Sequence, residues 1–168
     1  VSLDTGAAAA TLTVVAGGDA EVLDRVEPLI SATGRVVRTG PIGSGHALKA
    51  LNNLLSATTL LISSEALQVG RRFGLTDEVM LAVVNSSTGR SWSTEFKWPR
   101  FVVPETYDSG FAMSLLVKDM RIATSLAREL DLPSELGEAS MHRWAAALES
   151  LGQDADHTEI ARYAADPS

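Results

Sequence analysis

The chain has 168 residues, 45% of them hydrophobic and 21% charged, enough to bury one good core or a core with a small appendage. Its 14 basic and 21 acidic residues give a net charge of −7, which argues against a nucleic-acid surface, and no basic stripe offsets it. It has no cysteine, which excludes disulfides, thiolate metal sites and cysteine nucleophiles. The histidines His46, His142 and His157 have no ligand spacing, so no metal site is expected. No signal peptide or lipidation motif is visible, and a cytoplasmic location is the expectation.

The first ten residues are small and loop-like. Thr11–Ala16 is β-branched and reads as a strand. Gly17-Gly18 turns the chain, and Asp19 can cap a helix that carries Glu21 in its first turn. That helix runs to about Thr33, with Pro28 kinking or restarting it, and Arg35–Thr39 is a second short strand. The strand–helix–strand piece has the composition of an α/β unit whose apolar faces belong on a larger sheet.

Gly40, Gly43 and Gly45 then make a permissive turn into a long proline-free run ending at Phe73. Between Lys49 and Glu65 this run has no charge, so the helix it predicts is apolar on most of its circumference and central in its domain or in an interface. The uncharged part is shorter than the ~20 apolar residues of a membrane span and includes several Asn, Ser and Thr residues. Lys49 lies about one turn into the helix, with Asn53 four residues on and therefore on the same face. Burial and the positive end of the helix dipole both disfavour an ammonium, which suits a lysine to acid/base work. A lysine whose head snorkels to water off the first turn fits the same pattern.

Thr76 caps the next helix, with Asp77 and Glu78 in its first turn and an end near Asn85. Residues 91–108 read as irregular, since Pro99 and Pro104 interrupt a run of aromatic residues that either anchor a loop to the core or form a substrate lid. Phe111–Leu130 is amphipathic, with Phe111, Leu115, Lys118, Asp119 and Ile122 on one face. The Lys118-Asp119 pair on that face reads as an internal ion pair or a solvated edge. Pro133 opens a helix to about Ser150, stopped by Gly152, and Asp156–Ala165 is a last short helix.

Several of these residues together resemble the β-hydroxyacid dehydrogenases, the family of 3-hydroxyisobutyrate dehydrogenase and tartronate semialdehyde reductase. Gly40-x-x-Gly43-x-Gly45-x-x-x-Lys49-x-x-Asn52-Asn53 is similar to the family's catalytic signature. The resemblance implies that Lys49 is the catalytic acid/base and that Asn53 binds substrate. Phe111-x₆-Lys118-Asp119 is similar to a second family motif. It implies that Lys118 approaches the nicotinamide cofactor and that Phe111 and Asp119 lie at the substrate cleft. Val1-Ser2 resembles the family's serine–glycine–glycine loop, with Leu3 and Asp4 in place of the glycines, which makes Ser2 a substrate-ligand candidate. Asp156-His157-Thr158-Glu159-Ile160 resembles the family's C-terminus, so the resemblance covers nearly the whole chain.

The implied fold is mainly α: a helical C-terminal domain at 43–168 built around one long central helix, with 1–42 as a short α/β remnant of a Rossmann domain. The implied activity is oxidation of a small β-hydroxyacid, or reduction of its semialdehyde, with NAD or NADP held mainly by a Rossmann domain outside this sequence. Gly43–Leu48 lacks the third glycine of a dinucleotide fingerprint, and no acidic residue follows at the right distance, so this turn is read as a helix opening rather than a pyrophosphate cradle. The sequence is thus read as the C-terminal part of a longer enzyme, inactive by itself. A homo-oligomer, dimer or tetramer, is expected, with no nucleic acid or membrane as partner. An imine reductase of related architecture is the alternative enzyme, although that group typically replaces the lysine. A non-catalytic dimerisation module with a relic motif is the other.

Overall fold

In the computed structural model, residues 9–166 are described, and they divide into two compact units, Val1–Asn52 and Asn53–Ser168, whose boundary falls within one long helix. In the first unit, β1 (Leu12–Gly17) and β2 (Gly34–Gly40) pair in parallel, with α1 (Ala20–Ile30) and a 3₁₀ turn, Ser31–Thr33, between them. Asp19 caps α1 as its position suggested, its carboxylate accepting from the Glu21 and Val22 backbone N–H groups. Pro28 sits inside α1 without dividing it, and the helix stops two residues later, where the 3₁₀ turn takes over. Arg38 on β2 ties the strand to α1 through Asp24 at 2.7 Å and Glu27 at 2.6 Å. The expected strand–helix–strand piece therefore forms with its strands paired.

The helix α2 (Ser44–Phe73) follows, within one residue of its expected start. The glycines ahead of it serve close packing. A Cβ at Gly45 would lie 2.6 Å from the Val15 carbonyl oxygen, and one at Gly17 would lie 2.2 Å from Ser44 Oγ. Backbone–backbone approach between the end of β1 and the first turn of α2 therefore needs glycine at both places.

In the second unit, the later part of α2 contributes Ala57, Leu60, Leu61 and Leu67 to a core shared with α3 (Asp77–Asn85), a π-helix (Ser93–Val102), α4 (Met113–Glu129), α5 (Glu135–Leu151) and α6 (Ile160–Ala165). Trp98, Met113, Met120, Trp144 and Ile160 are completely buried in it. Trp144 spends its polar handle well: Nε1 donates to the Ala57 carbonyl, which joins α5 to α2. Each aromatic or methionine side chain of this size removes an apolar surface worth roughly 1.5–3 kcal/mol from water. Ser64 and Thr124, also buried, return their hydroxyls to carbonyls one turn back, to Leu60 and Met120.

Two expectations are corrected here. The segment read as irregular contains the ten-residue π-helix. Proline was the reason for that reading, because Pro99 has no N–H to close a helical turn. In a π-helix the orphaned carbonyl is that of Thr94, and Asn85 Nδ2 donates to it at 3.1 Å, so a side chain of α3 replaces the missing bond. The second correction concerns α4. Its buried positions are Met113, Leu116, Val117, Asp119, Met120, Ala123 and Thr124, whereas Leu115, Lys118 and Ile122 are exposed. The expected face lies at the edge of the core rather than in it, because the true apolar stripe is displaced by one to two residues.

No helix among the described residues is long and apolar enough to cross a membrane, and no group of three or more potential metal-ligating side chains is found among them.

Candidate active site and its family

One residue of each sequence motif pairs inside the second unit. Asn53, on α2, donates from Nδ2 to Asp119 Oδ2 on α4 at 2.7 Å, across 66 residues of sequence. Asp119 is 3% exposed, so its charge is held where water cannot compensate it, and partners are required. One is Asn53, and another is Lys118, whose Nζ lies 3.1 Å from Oδ1. The lysine side chain is itself exposed, which leaves its ammonium available to an outside ligand. Of the two readings of the Lys-Asp pair, the ion pair is the one that forms, and only its carboxylate half is buried. Phe111 is half-buried just before α4 and packs edge-on against the His157 ring at 5.5 Å. Lys49 lies in α2, four residues before Asn53. It is exposed, as in the snorkelling alternative, rather than buried; the neighbouring Ala50 is buried, and in the second unit the core along α2 takes in Ala57 with Leu54 packed against it. Ser2 falls outside the described residues.

Lys97 is a buried cation that sequence reasoning missed. It sits on the π-helix, 8% exposed, and donates from Nζ to Ser56 Oγ at 2.9 Å. Burial pushes its ammonium down to about 8, against a smaller opposing pull from Asp156. Its only sequence signal was a lysine flanked by Phe96 and Trp98, which an irregular segment gave no reason to place inside.

Asp156 was noticed in the sequence only as part of a string. Its carboxylate accepts from Ser109 Oγ, the Gly110 N–H at 2.9 Å, the Thr158 N–H at 2.8 Å and Thr158 Oγ1 at 2.6 Å. It also closes a capping box with Glu159. Burial alone would raise its pKa, but the hydrogen bonds from His157, Thr158 and Ser109 outweigh this and hold it well below the usual carboxylate range. Burial pushes His157 down, with its bond to Asp156 acting the other way and the charge of Lys97 adding to the depression. Ser109, His157 and Asp156 do not form a nucleophilic triad. Ser109 Oγ and Asp156 Oδ1 both approach the same ring nitrogen, Nδ1, at 3.0 and 3.5 Å, and a triad needs them on opposite nitrogens. The cluster is instead a clasp that fixes the loop bearing Phe111.

The Lys97 shift has a measurable consequence. The unfolded lysine titrates near 10.4 and the folded one lower, so between about pH 8 and about 10.5 the unfolded chain holds the extra proton and raising the pH favours folding. Measured against Lys97→Met, in which the other alkaline groups cancel, the native chain is expected to gain about 3 kcal/mol of relative stability across that window. Urea unfolding of both chains at a series of pH values checks this. A pH-independent difference would contradict it.

The cofactor chemistry of the donor set can be judged from these residues. An exposed ammonium anchored to a buried carboxylate is compatible with the polar edge of a nicotinamide cofactor.

Comparison with known proteins identifies the family. The family model described as NAD-binding of NADP-dependent 3-hydroxyisobutyrate dehydrogenase matches residues 43–164. The chain is 35% identical over 129 residues to 2-(hydroxymethyl)glutarate dehydrogenase of Eubacterium barkeri, covering 76% of this chain and 43% of that protein. It is 34% identical over 143 residues to NAD-dependent L-serine dehydrogenase of Pseudomonas aeruginosa, covering 81% and 48%. Among solved structures, 3-hydroxyisobutyrate dehydrogenase of Mycobacterium tuberculosis with L-serine superposes with a TM-score of 0.86 at 25% identity, over 94% of this chain and 56% of that one. The chain thus spans less than half the length of these two curated relatives. The family's cofactor is NAD or NADP. By the matched family model, the relatives and the mainly α fold, the chain belongs to the 3-hydroxyisobutyrate dehydrogenase-like β-hydroxyacid dehydrogenases.

Proposed function

We propose that this chain forms the substrate-side part of an NAD(P)-dependent oxidoreductase that oxidises a small β-hydroxyacid or reduces the corresponding semialdehyde. The observation that supports the reading is the Asn53–Asp119 hydrogen bond, which joins one residue from each of the two motifs within the second unit. In this reading residues 43–168 are the helical domain, and 1–42 belong to the dinucleotide-binding domain of the whole protein. Such a division leaves most cofactor binding to that other domain, and this chain by itself inactive.

The nicotinamide ring, when bound, supplies the hydride acceptor. Lys49 takes the proton of the substrate hydroxyl in the oxidative direction and returns it in the reductive one. Its exposure in this chain means that bound substrate and cofactor must exclude water around it. Asn53 presents its amide to the substrate, and Asp119 fixes the rotamer of that amide by accepting one of its two N–H groups. Lys118 directs its ammonium to the cofactor. Phe111, braced by His157, forms an apolar wall of the substrate cleft.

The test is an assay of the full-length protein with NAD and NADP against a panel of β-hydroxyacids and semialdehydes. Turnover is expected with a small member of the panel, and Asn53→Ala is expected to raise KM by about tenfold while lowering kcat less, the pattern of lost substrate positioning. Absence of turnover with every β-hydroxyacid and semialdehyde would overturn the reading.

We also propose assembly into a homodimer or tetramer through α2. Leu55, Ile62 and Val69 follow one another at seven-residue intervals, with exposures of 70%, 56% and 69%, and Phe73 on the same side is 83% exposed. A heptad-spaced apolar stripe left uncovered by its own chain is the geometry of a helix–helix seam. Light scattering at micromolar concentration is expected to give at least twice the 17.8 kDa chain mass, and Leu55→Glu with Ile62→Glu to return it to the monomer. A monomeric native chain would contradict this.

A further inference from the structure

Outside the clasp and the Asn53 pair, one buried cation has only a neutral partner. Lys97 carries three N–H donors when protonated, and among the described residues its Nζ has a single hydrogen-bond partner, the neutral hydroxyl of Ser56. No carboxylate lies within ion-pair distance of it among those residues. Asp156, the acid whose field reaches it, is already saturated by Ser109, Gly110 and Thr158. Buried cations are ordinarily paired, because an uncompensated one loses its hydration without return. A side chain that is 8% exposed and carries its charge beside a neutral hydroxyl has an electrostatic demand for an anion.

The location of this demand is informative. Ser56 follows Asn53 by three residues on α2, so the two side chains are neighbours on one helix face, about 4.5 Å apart along the axis. The charge of Lys97 also reaches His157, the residue that braces Phe111. The lysine thus flanks the substrate-side residues of the second unit, on the side of Asn53 that leads along α2 toward Ser56. The π-helix supplies the placement: Lys97 is one of its buried residues, with Thr94, Trp98 and Val102, and the Thr94 carbonyl is capped by Asn85.

We propose that Lys97 is a specificity-determining residue whose buried ammonium, presented beside Ser56, binds a second carboxylate of the hydroxyacid about one helical turn from Asn53. The proposal rests on Asn53 being the substrate ligand. It narrows the substrate class to β-hydroxyacids with a second carboxylate a few carbons from the reacting centre. A purely architectural lysine would serve only to hold Ser56, and that role does not explain a buried charge beside a neutral hydroxyl.

The experiment uses the 168-residue chain and two simple probes, glutarate and pentanoate, which share a carbon count and differ by one carboxylate. Carbon–proton correlation spectra report the Lys97 ε-methylene, and nitrogen–proton spectra report the Asn53 side-chain amide. Glutarate is expected to shift both signals and to bind about tenfold more tightly than pentanoate, which shifts Asn53 alone. In Lys97→Met the two probes are expected to bind alike, and in Lys97→Arg the preference for glutarate is expected to return in part. If glutarate moves Asn53 and leaves Lys97 unmoved, the Lys97 proposal falls while the Asn53 reading stands. If it moves Lys97 and not Asn53, the anion site is separate from the substrate and the specificity role falls. No shift of either at concentrations far above millimolar overturns both. The native-chain spectra decide among these outcomes even if a variant does not fold.

Discussion

Lys49→Ala, in the full-length protein, is expected to lower kcat by several orders of magnitude while cofactor affinity changes little. The expectation follows from the role assigned to the amine. Oxidation removes a hydride from carbon and a proton from the hydroxyl, and without an acceptor for the proton the alkoxide must form unaided. General acid/base groups typically contribute a factor of about 10²–10⁴, and an amine that also fixes the hydroxyl contributes to positioning as well. Asn53, next along the same helix, remains to bind substrate, so KM should rise less than kcat falls. Direct titration of NAD and NADP into native and variant protein checks the second half of the statement. Equal loss of cofactor binding would mean that the substitution had disturbed the fold.

The second large effect is on stability. Asp156→Ala is expected to cost about 3–4 kcal/mol. The carboxylate accepts from Ser109, Gly110 and Thr158, and its loss leaves the Gly110 and Thr158 backbone donors without their acceptors, Oδ2 and Oδ1. Backbone pairing between the same segments persists, with Met113 N–H to the Ala155 carbonyl at 2.8 Å and His157 N–H to the Phe111 carbonyl at 2.9 Å, which keeps the loss below complete unfolding. The pH dependence has a definite sign. The folded carboxyl is held below the unfolded value of about 3.9, so its contribution is fully present above that pH and is lost as the pH falls through the carboxylate range toward the folded pKa. Urea midpoints of native and Asp156→Ala protein should therefore differ most near neutrality and converge in acid. A difference that grows on acidification would contradict the assignment. Because the clasp fixes Phe111, the variant should also bind substrate more weakly than its residual stability alone would require.

The elements with strong local signals were legible. Asp19 and Thr76 each cap the helix they were expected to cap, because a short acceptor side chain ahead of a periodic run has few other uses. The long helix was legible because nothing between Gly45 and Phe73 opposes a helix and glycine stands at its entrance. The π-helix was not. Its stability depends on Asn85 reaching Thr94 from another element, a tertiary bond with no local trace. The displaced face of α4 has a related cause: Asn53, 66 residues earlier, and Lys118 compensate a buried Asp119, so the buried stripe depends on tertiary partners that a periodicity count cannot see. Within the candidate site, Asn53, Lys118 and Asp119 came from the family resemblance and are in contact. Lys97 and the Asp156 clasp depend on long-range burial and could be found only in the structure.

The central claim is that Lys49 moves a proton rather than merely supplying positive charge, and Lys49→Arg tests it most directly. Arginine keeps the charge and much of the length of the side chain, but its guanidinium stays protonated and cannot accept the hydroxyl proton. With full-length protein, cofactor and a turned-over β-hydroxyacid, the rate of the first turnover of native and Lys49→Arg enzyme should be compared in the oxidative direction. The account predicts a loss almost as large as for Lys49→Ala. Retention of more than about a tenth of the native rate, a difference of only ~1.4 kcal/mol in barrier, would contradict it and make Lys49 an electrostatic anchor.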